Sequence, residues 1–243
     1  MKISVALTIC IFIAGCNGQH QKKSTISTIS IEKHMATIPA PRPDKWWTDR
    51  HNDIIERLKQ GNVDLLFIGD SITRNWETTG KLTWDKYYAP RMAVNLGFGG
   101  DQTQNVLWRL ENGEITGISP KLAIIMIGTN SAGLNASQTA DGIIAIVQKL
   151  QTDLPNTKVL LLAIFPRGEK PCQEREQNAQ ASMMASRIAD NKMIFYKDIG
   201  AVFLDENGIL IKEYFLDDFV HLSEKGYEVE ARVLEPFILS IIK

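Results

Sequence analysis

Val63-Asp64-Leu65-Leu66-Phe67-Ile68-Gly69-Asp70-Ser71 is a short apolar run that ends abruptly in a glycine, a carboxylate and a hydroxyl. Consecutive apolar residues over so short a length are what a strand buried on both faces looks like. Four further runs repeat the pattern: Met92–Leu96, Leu122–Ile127, Lys158–Ile164 and Met193–Tyr196. Helical stretches lie between them near Asp101–Leu110, Gln138–Thr152 and Glu174–Asp190, and a last one runs from about Ser223 to Ile241. Ahead of the first strand, Trp47, Ile54, Ile55 and Leu58 fall on one helical face and Gly61 supplies a stop. Strand and helix in alternation predict an α/β fold with a parallel sheet covered by helices on both faces.

In an open parallel sheet a site forms beyond the carboxyl ends of the strands. The first run is followed there by Gly69-Asp70-Ser71, the second by Gly97-Phe98-Gly99-Gly100-Asp101 and the third by Gly128-Thr129-Asn130-Ser131. One polar, glycine-rich turn is ordinary loop chemistry, but three at equivalent ends of a sheet predict a shared site.

Composition narrows the possibilities. The 243 residues suit one α/β domain, and a net charge of −1 with scattered basic residues excludes a nucleic-acid partner. Gly97-Phe98-Gly99 follows a strand, but Gln102 stands where a dinucleotide fingerprint needs Gly or Ala, and there is no Walker A motif. Neither His-Glu-x-x-His nor Cys-x-x-Cys occurs, so neither a metal nor a cofactor is expected.

The N-terminus carries its own message. A basic start, an apolar run and small residues, from Met1 to Gly15, read as a signal peptide too short to span a bilayer as a lasting helix. Ile13-Ala14-Gly15-Cys16 resembles a bacterial lipobox, which predicts cleavage before Cys16 and a lipid on it. Residues 16–43, polar and closing in Pro39-Ala40-Pro41-Arg42-Pro43, are expected to form a flexible tether, with the folded domain occupying 44–243. The partners expected are therefore an envelope membrane, reached through the lipid, and an ester substrate; the oligomeric state is left open. Cys172 is left as a lone thiol in a loop.

A catalytic serine needs a base, and four histidines are available. His20 and His34 fall in the tether and His51 in the first helix, which leaves His221, with Asp218 three residues upstream. That spacing puts both side chains on one side of a helical turn, where a carboxylate can reach one ring nitrogen and leave the other for a hydroxyl. Asp-x-x-His beside a helix start reads by itself as capping plus a surface histidine; beside Ser71 it reads as a base system.

These residues also carry a resemblance. Phe67-Ile68-Gly69-Asp70-Ser71-Ile72-Thr73 resembles the first block of the SGNH, or GDSL-like, hydrolases. Gly99-Gly100-Asp101, Gly128-Thr129-Asn130 and Asp218-Phe219-Val220-His221 resemble the second, third and fifth blocks. The segment from Leu96 to Asn130 is particularly similar to the platelet-activating factor acetylhydrolase IB branch of that family. The resemblance implies a flavodoxin-like three-layer α/β/α sandwich around a five-stranded parallel sheet. It implies a serine esterase with Ser71 as nucleophile and His221 as base, oriented by Asp218. The oxyanion hole would be the backbone N–H groups of Ser71 and Gly100 with the side-chain amide of Asn130. Many members carry Asp after the third-block Asn, where this chain has Ser131. The expected substrate is a short-chain, acetyl ester of a carbohydrate, with pocket-lining residues expected in loops such as Thr78–Tyr88 and Pro166–Cys172. The alternatives are a phospholipid acetylhydrolase or lysophospholipase-type lipase, and, from another class, a non-catalytic glycan-binding lipoprotein.

Overall fold

The computed structural model describes residues 31–242, so the expected signal peptide and Cys16, the expected lipidation site, lie outside the described residues. Five strands, β1 (Leu65–Gly69), β2 (Ala93–Gly97), β3 (Leu122–Met126), β4 (Lys158–Leu162) and β5 (Ile194–Lys197), form one sheet in the order β2-β1-β3-β4-β5. Every pairing is parallel. The chain passes from β1 to β2 on one side and returns to β3 on the other, which makes the carboxyl ends of β1 and β3 the topological switch point where such sheets bind ligands.

Because side chains alternate across a strand, each run supplies two cores. Leu66, Ile68, Ala123, Ile125, Val159 and Leu161 face one layer. That layer is made by α1 (Lys45–Lys59), α4 (Thr103–Arg109), α5 (Ala136–Asp153) and α6 (Gln173–Ala185). Leu65, Phe67, Leu122, Ile124, Leu160 and Leu162 face the other, made by α2 (Ser71–Arg74), α3 (Lys81–Tyr87) and α7 (Glu224–Ile242). The expected three-layer sandwich is the fold observed.

Two expectations are corrected. Residues 31–43 are not a free tether; they lie on the domain as a strap. Ala36 is fully buried, and its carbonyl accepts a hydrogen bond from Thr103 Oγ1 at 2.8 Å. The Ala40 N–H donates to Gln104 O at 3.1 Å, and Asn105 Nδ2 donates to Ala40 O at 3.0 Å. Gly142 on α5 permits this approach, since a Cβ there would stand 2.8 Å from Ala36 O. Polar composition misled because the strap is held by its backbone groups, which composition does not report. The stretch Thr78–Tyr88, expected as a pocket-lining loop, contains α3, and its Trp84 and Tyr88 pack with Phe67 and Trp76 in the second core.

Candidate active site

Ser71 opens α2 directly after β1, on a helix that lies unusually close to the sheet. A Cβ on Gly69 would stand 2.1 Å from Thr73 Oγ1, and one on Gly97 would stand 2.2 Å from the Arg74 N atom, so any larger residue would push the helix off its seat. Asp70 caps the helix by accepting the Ile72 N–H at 3.0 Å. Asn95 Nδ2 donates to Thr73 O at 2.8 Å, and the Tyr227 hydroxyl donates to Ile72 O at 2.6 Å. Helix α2 is thus pinned by β2 on one side and α7 on the other.

His221 approaches from the loop before α7. Its Nε2 lies 2.8 Å from Ser71 Oγ, and its Nδ1 lies 2.5 Å from Asp218 Oδ2. The loop is not the helical turn the spacing suggested. Asp218 Oδ1 instead accepts the N–H groups of Val220 and His221 at 2.9 and 3.0 Å, an Asx turn in which Phe219 takes a φ of +52°. That left-handed residue is held by its neighbours: the Phe219 carbonyl accepts the Gly168 N–H at 2.9 Å, and Leu216 N–H donates to His221 O at 2.8 Å. The Asp218 carboxyl is held below its ordinary range. Burial raises it, but hydrogen bonds from the His221 ring and from the His221 and Val220 backbone outweigh that effect.

The loops after β2 and β3 close the third side. Gly100 has a φ of +75°, a conformation open to glycine at no steric cost. Asn130 Nδ2 donates to Asp101 O at 3.1 Å, and Gln102 Nε2 donates to Asn130 O at 2.6 Å, so the two loops are stitched together. The Ser131 hydroxyl closes its own turn by donating to Gly128 O at 2.6 Å. The structure therefore brings all the predicted residues of the folded domain to one end of the sheet, at the β1/β3 switch point. A hydroxyl hydrogen-bonded to an imidazole, itself oriented by a carboxylate, can activate the oxygen as a nucleophile.

Comparison with known proteins agrees with this geometry. The sequence model of the GDSL-like lipase/acylhydrolase family matches residues 67–229. Human platelet-activating factor acetylhydrolase IB subunit alpha1 is 33% identical over 219 residues, covering 88% of this chain and 94% of the relative.

This chain belongs to the GDSL-like lipase/acylhydrolase family.

As such it is a carboxylic ester hydrolase. The rat platelet-activating factor acetylhydrolase IB subunit alpha2 is 34% identical over 204 residues, covering 82% of this chain and 86% of the relative. Among solved structures, a GDSL-like lipase from Bacteroides thetaiotaomicron superposes with a TM-score of 0.61 at 21% identity, covering 81% of this chain and 97% of that one. An acetylxylan esterase from Geobacillus stearothermophilus superposes with a TM-score of 0.57 at 21% identity, covering 72% and 94%. At that identity the two structures speak for the fold alone.

Sequence reasoning missed what holds this acylhydrolase's second loop in place. Asp101, fully buried, accepts Trp47 Nε1 at 2.7 Å and Arg109 Nε at 2.9 Å. Arg109, also fully buried, reaches Glu114 as well, and His51 Nδ1 lies 2.9 Å from Glu114 Oε1. Burial pushes the Asp101 carboxyl up, against the pull of Arg109 and Trp47. The available signal was Arg109 itself, a charge inside the apolar stretch Val106-Leu107-Trp108-Arg109-Leu110. The N-terminal strap contributes too, because Arg42 Nη1 donates to Gly99 O at 2.7 Å. Asp70, just before Ser71, is pushed up to about 7 by burial, with the Ile72 N–H working the other way. Cys172 is a half-buried free thiol at the start of α6.

Proposed function

We propose that the protein is a carbohydrate O-acetylesterase working through an acyl-enzyme on Ser71. The observation that carries this reading is the continuous relay of Ser71, His221 and Asp218 at the switch point. His221 takes the Ser71 proton as Oγ adds to the ester carbonyl. The oxyanion is met by the N–H groups of Ser71 and Gly100 and by the amide of Asn130, whose other N–H is held by Asp101 O. Collapse of the intermediate expels the alcohol, which takes the proton from His221 and leaves an acetyl group on Ser71. Water, deprotonated by His221, then attacks the acetyl-enzyme and releases acetate.

A short acyl group is favoured because, among the described residues, the hollow beside Asn130 is lined largely by polar residues such as Thr129, Ser131, Arg167, Gln173 and Glu174 rather than by apolar walls, and each unburied methylene forgoes about 0.8 kcal/mol of transfer energy. The names of the relatives favour a second reading, a phospholipid acetylhydrolase. Intact relay geometry weighs against a non-catalytic glycan-binding protein. The lipobox-like Ile13-Ala14-Gly15-Cys16 supports attachment to the bacterial envelope through Cys16, and no helix among the described residues is long and apolar enough to cross a membrane. The test is a chain-length series of p-nitrophenyl esters run beside acetylated xylan, pectin and sialic acid. Acetate release from a glycan with a preference for acetate esters is expected. A specificity constant that climbs steadily to decanoate, with no acetate from any glycan, overturns the reading.

A further inference from the structure

Beside the Ser71 site a groove runs between the loop after β3 and the first turns of α6. Two hollows of about 530 and 580 Å3 meet in it, sharing Gly133, Leu134, Gln173 and Gln177. Its inner end is lined by Asn130 and Arg167, and its outer end reaches Gln180. The Gln177 amide donates to Leu134 O and so fixes the distance between the walls. The Arg167 loop is joined to the catalytic loop by the Gly168 N–H to Phe219 O bond of 2.9 Å.

Two observations say what the groove takes. Its walls are rich in carboxamides, and one of them, Asn178, is only 6% exposed and has an Nδ2 with no hydrogen-bond partner among the described residues. Buried amide donors are almost always paired, so the unpaired N–H of a residue in the groove wall is a donor still available to an acceptor. The groove is also poor in what the other substrate classes need. Leu134 is the one large apolar side chain in its lining, too little for an acyl tail. Arg167 is the one cation there; its guanidinium already donates to Thr129 O at 2.8 Å, and Glu174 shares the wall. An anionic headgroup would meet no free pair of cations.

We propose that this groove binds the alcohol part of the substrate, a neutral oligosaccharide whose acetylated hydroxyl reaches Ser71. The proposal rests on the O-acetylesterase reading above. Carboxamides both donate and accept, which matches the paired donor and acceptor character of sugar hydroxyls. The elongated, open shape admits a chain that continues beyond one ring.

The test compares kcat/KM for acetylated xylo-oligosaccharides with kcat/KM for p-nitrophenyl acetate, a probe small enough to use the Ser71 site alone. Because both values come from one preparation, their ratio is insensitive to any misfolded fraction. Gln173→Trp, which fills the groove, and the double variant Gln173→Ala with Gln177→Ala should each lower the ratio by about tenfold or more, as loss of one or two hydrogen bonds predicts. A ratio within about twofold of wild type in both variants overturns the groove assignment while leaving the esterase reading in place. Wild-type enzyme that hydrolyses p-nitrophenyl acetate but frees no acetate from the oligosaccharides overturns the substrate reading, and the groove assignment with it.

Discussion

His221 Nε2 lies 2.8 Å from Ser71 Oγ although 150 positions separate the two residues along the chain. The contact depends on the sheet order, on the seat of α2 and on the Asx turn at Asp218, and each of these can be tested separately.

Ser71→Ala should fold normally and lose esterase activity by several powers of ten, and His221→Ala should do the same. His51→Ala is the informative control. It leaves the relay intact but strips a partner from buried Glu114, so the melting temperature should drop while activity per folded molecule persists. An inactive but stable His51→Ala protein would reassign the base.

Asn130→Ala should lower kcat about a hundred- to a thousandfold with little change in KM, the usual consequence of losing one oxyanion donor. Steady-state kinetics on p-nitrophenyl acetate decide the matter. A loss confined to KM would make Asn130 a binding residue instead.

The strap makes a prediction that composition alone would have reversed. A chain beginning at residue 31 should match the full-length protein in melting temperature and kcat, whereas one beginning at residue 44 should not. The shorter chain loses the bonds from Thr103, Asn105 and Arg42, and with them the support of the loop that carries Gly100. At about 1 kcal/mol net for each bond, and about 2–4 °C for each kcal/mol in a domain of this size, the deficit should reach several degrees. Equal melting curves for the two chains would show that the strap does not stabilise the domain.

Glu230 on α7 is buried, and its Oε2 has no partner among the described residues; burial pushes its carboxyl up to about 8. The folded state therefore keeps the proton where the unfolded chain, with an ordinary carboxyl, has released it. Stability contributed by this group is present in full below the ordinary carboxylate range and is lost as pH rises toward the folded value. Glu230→Gln, which cannot ionise, should gain melting temperature over wild type as pH is raised from 6 to 9, and should show no such gain at pH 4. Parallel melting-temperature profiles across that range would remove Glu230 from the account.

Lipid attachment should depend on Cys16. Cells fed labelled fatty acid should label the wild-type protein but not Cys16→Ser, and the variant should appear in the soluble fraction. Label on the Cys16→Ser protein would refute attachment at this residue.

Asn130 came through the family resemblance and α3 was not foreseen, but the sequence by itself determined the five strands and the longer helices and singled out Ser71, Asp218 and His221 as candidates. These were legible because they rest on local signals: apolar runs of strand length, glycine-rich turns after them, and a single histidine left outside the tether and the first helix. Tertiary structure decided the rest. Whether β1 lies between β2 and β3 is a choice among packings of equally apolar strands, and it is that choice which sets Ser71 beside Asn130. The docking of residues 31–43 depends on backbone groups meeting Thr103, Gln104 and Asn105, partners far along the chain that composition cannot reveal. The buried network of Asp101, Arg109, Glu114 and His51 exists only because the fold removes all four from water together. A charge is stable there when its partners arrive with it, and which partners arrive is fixed by long-range packing rather than by any local pattern.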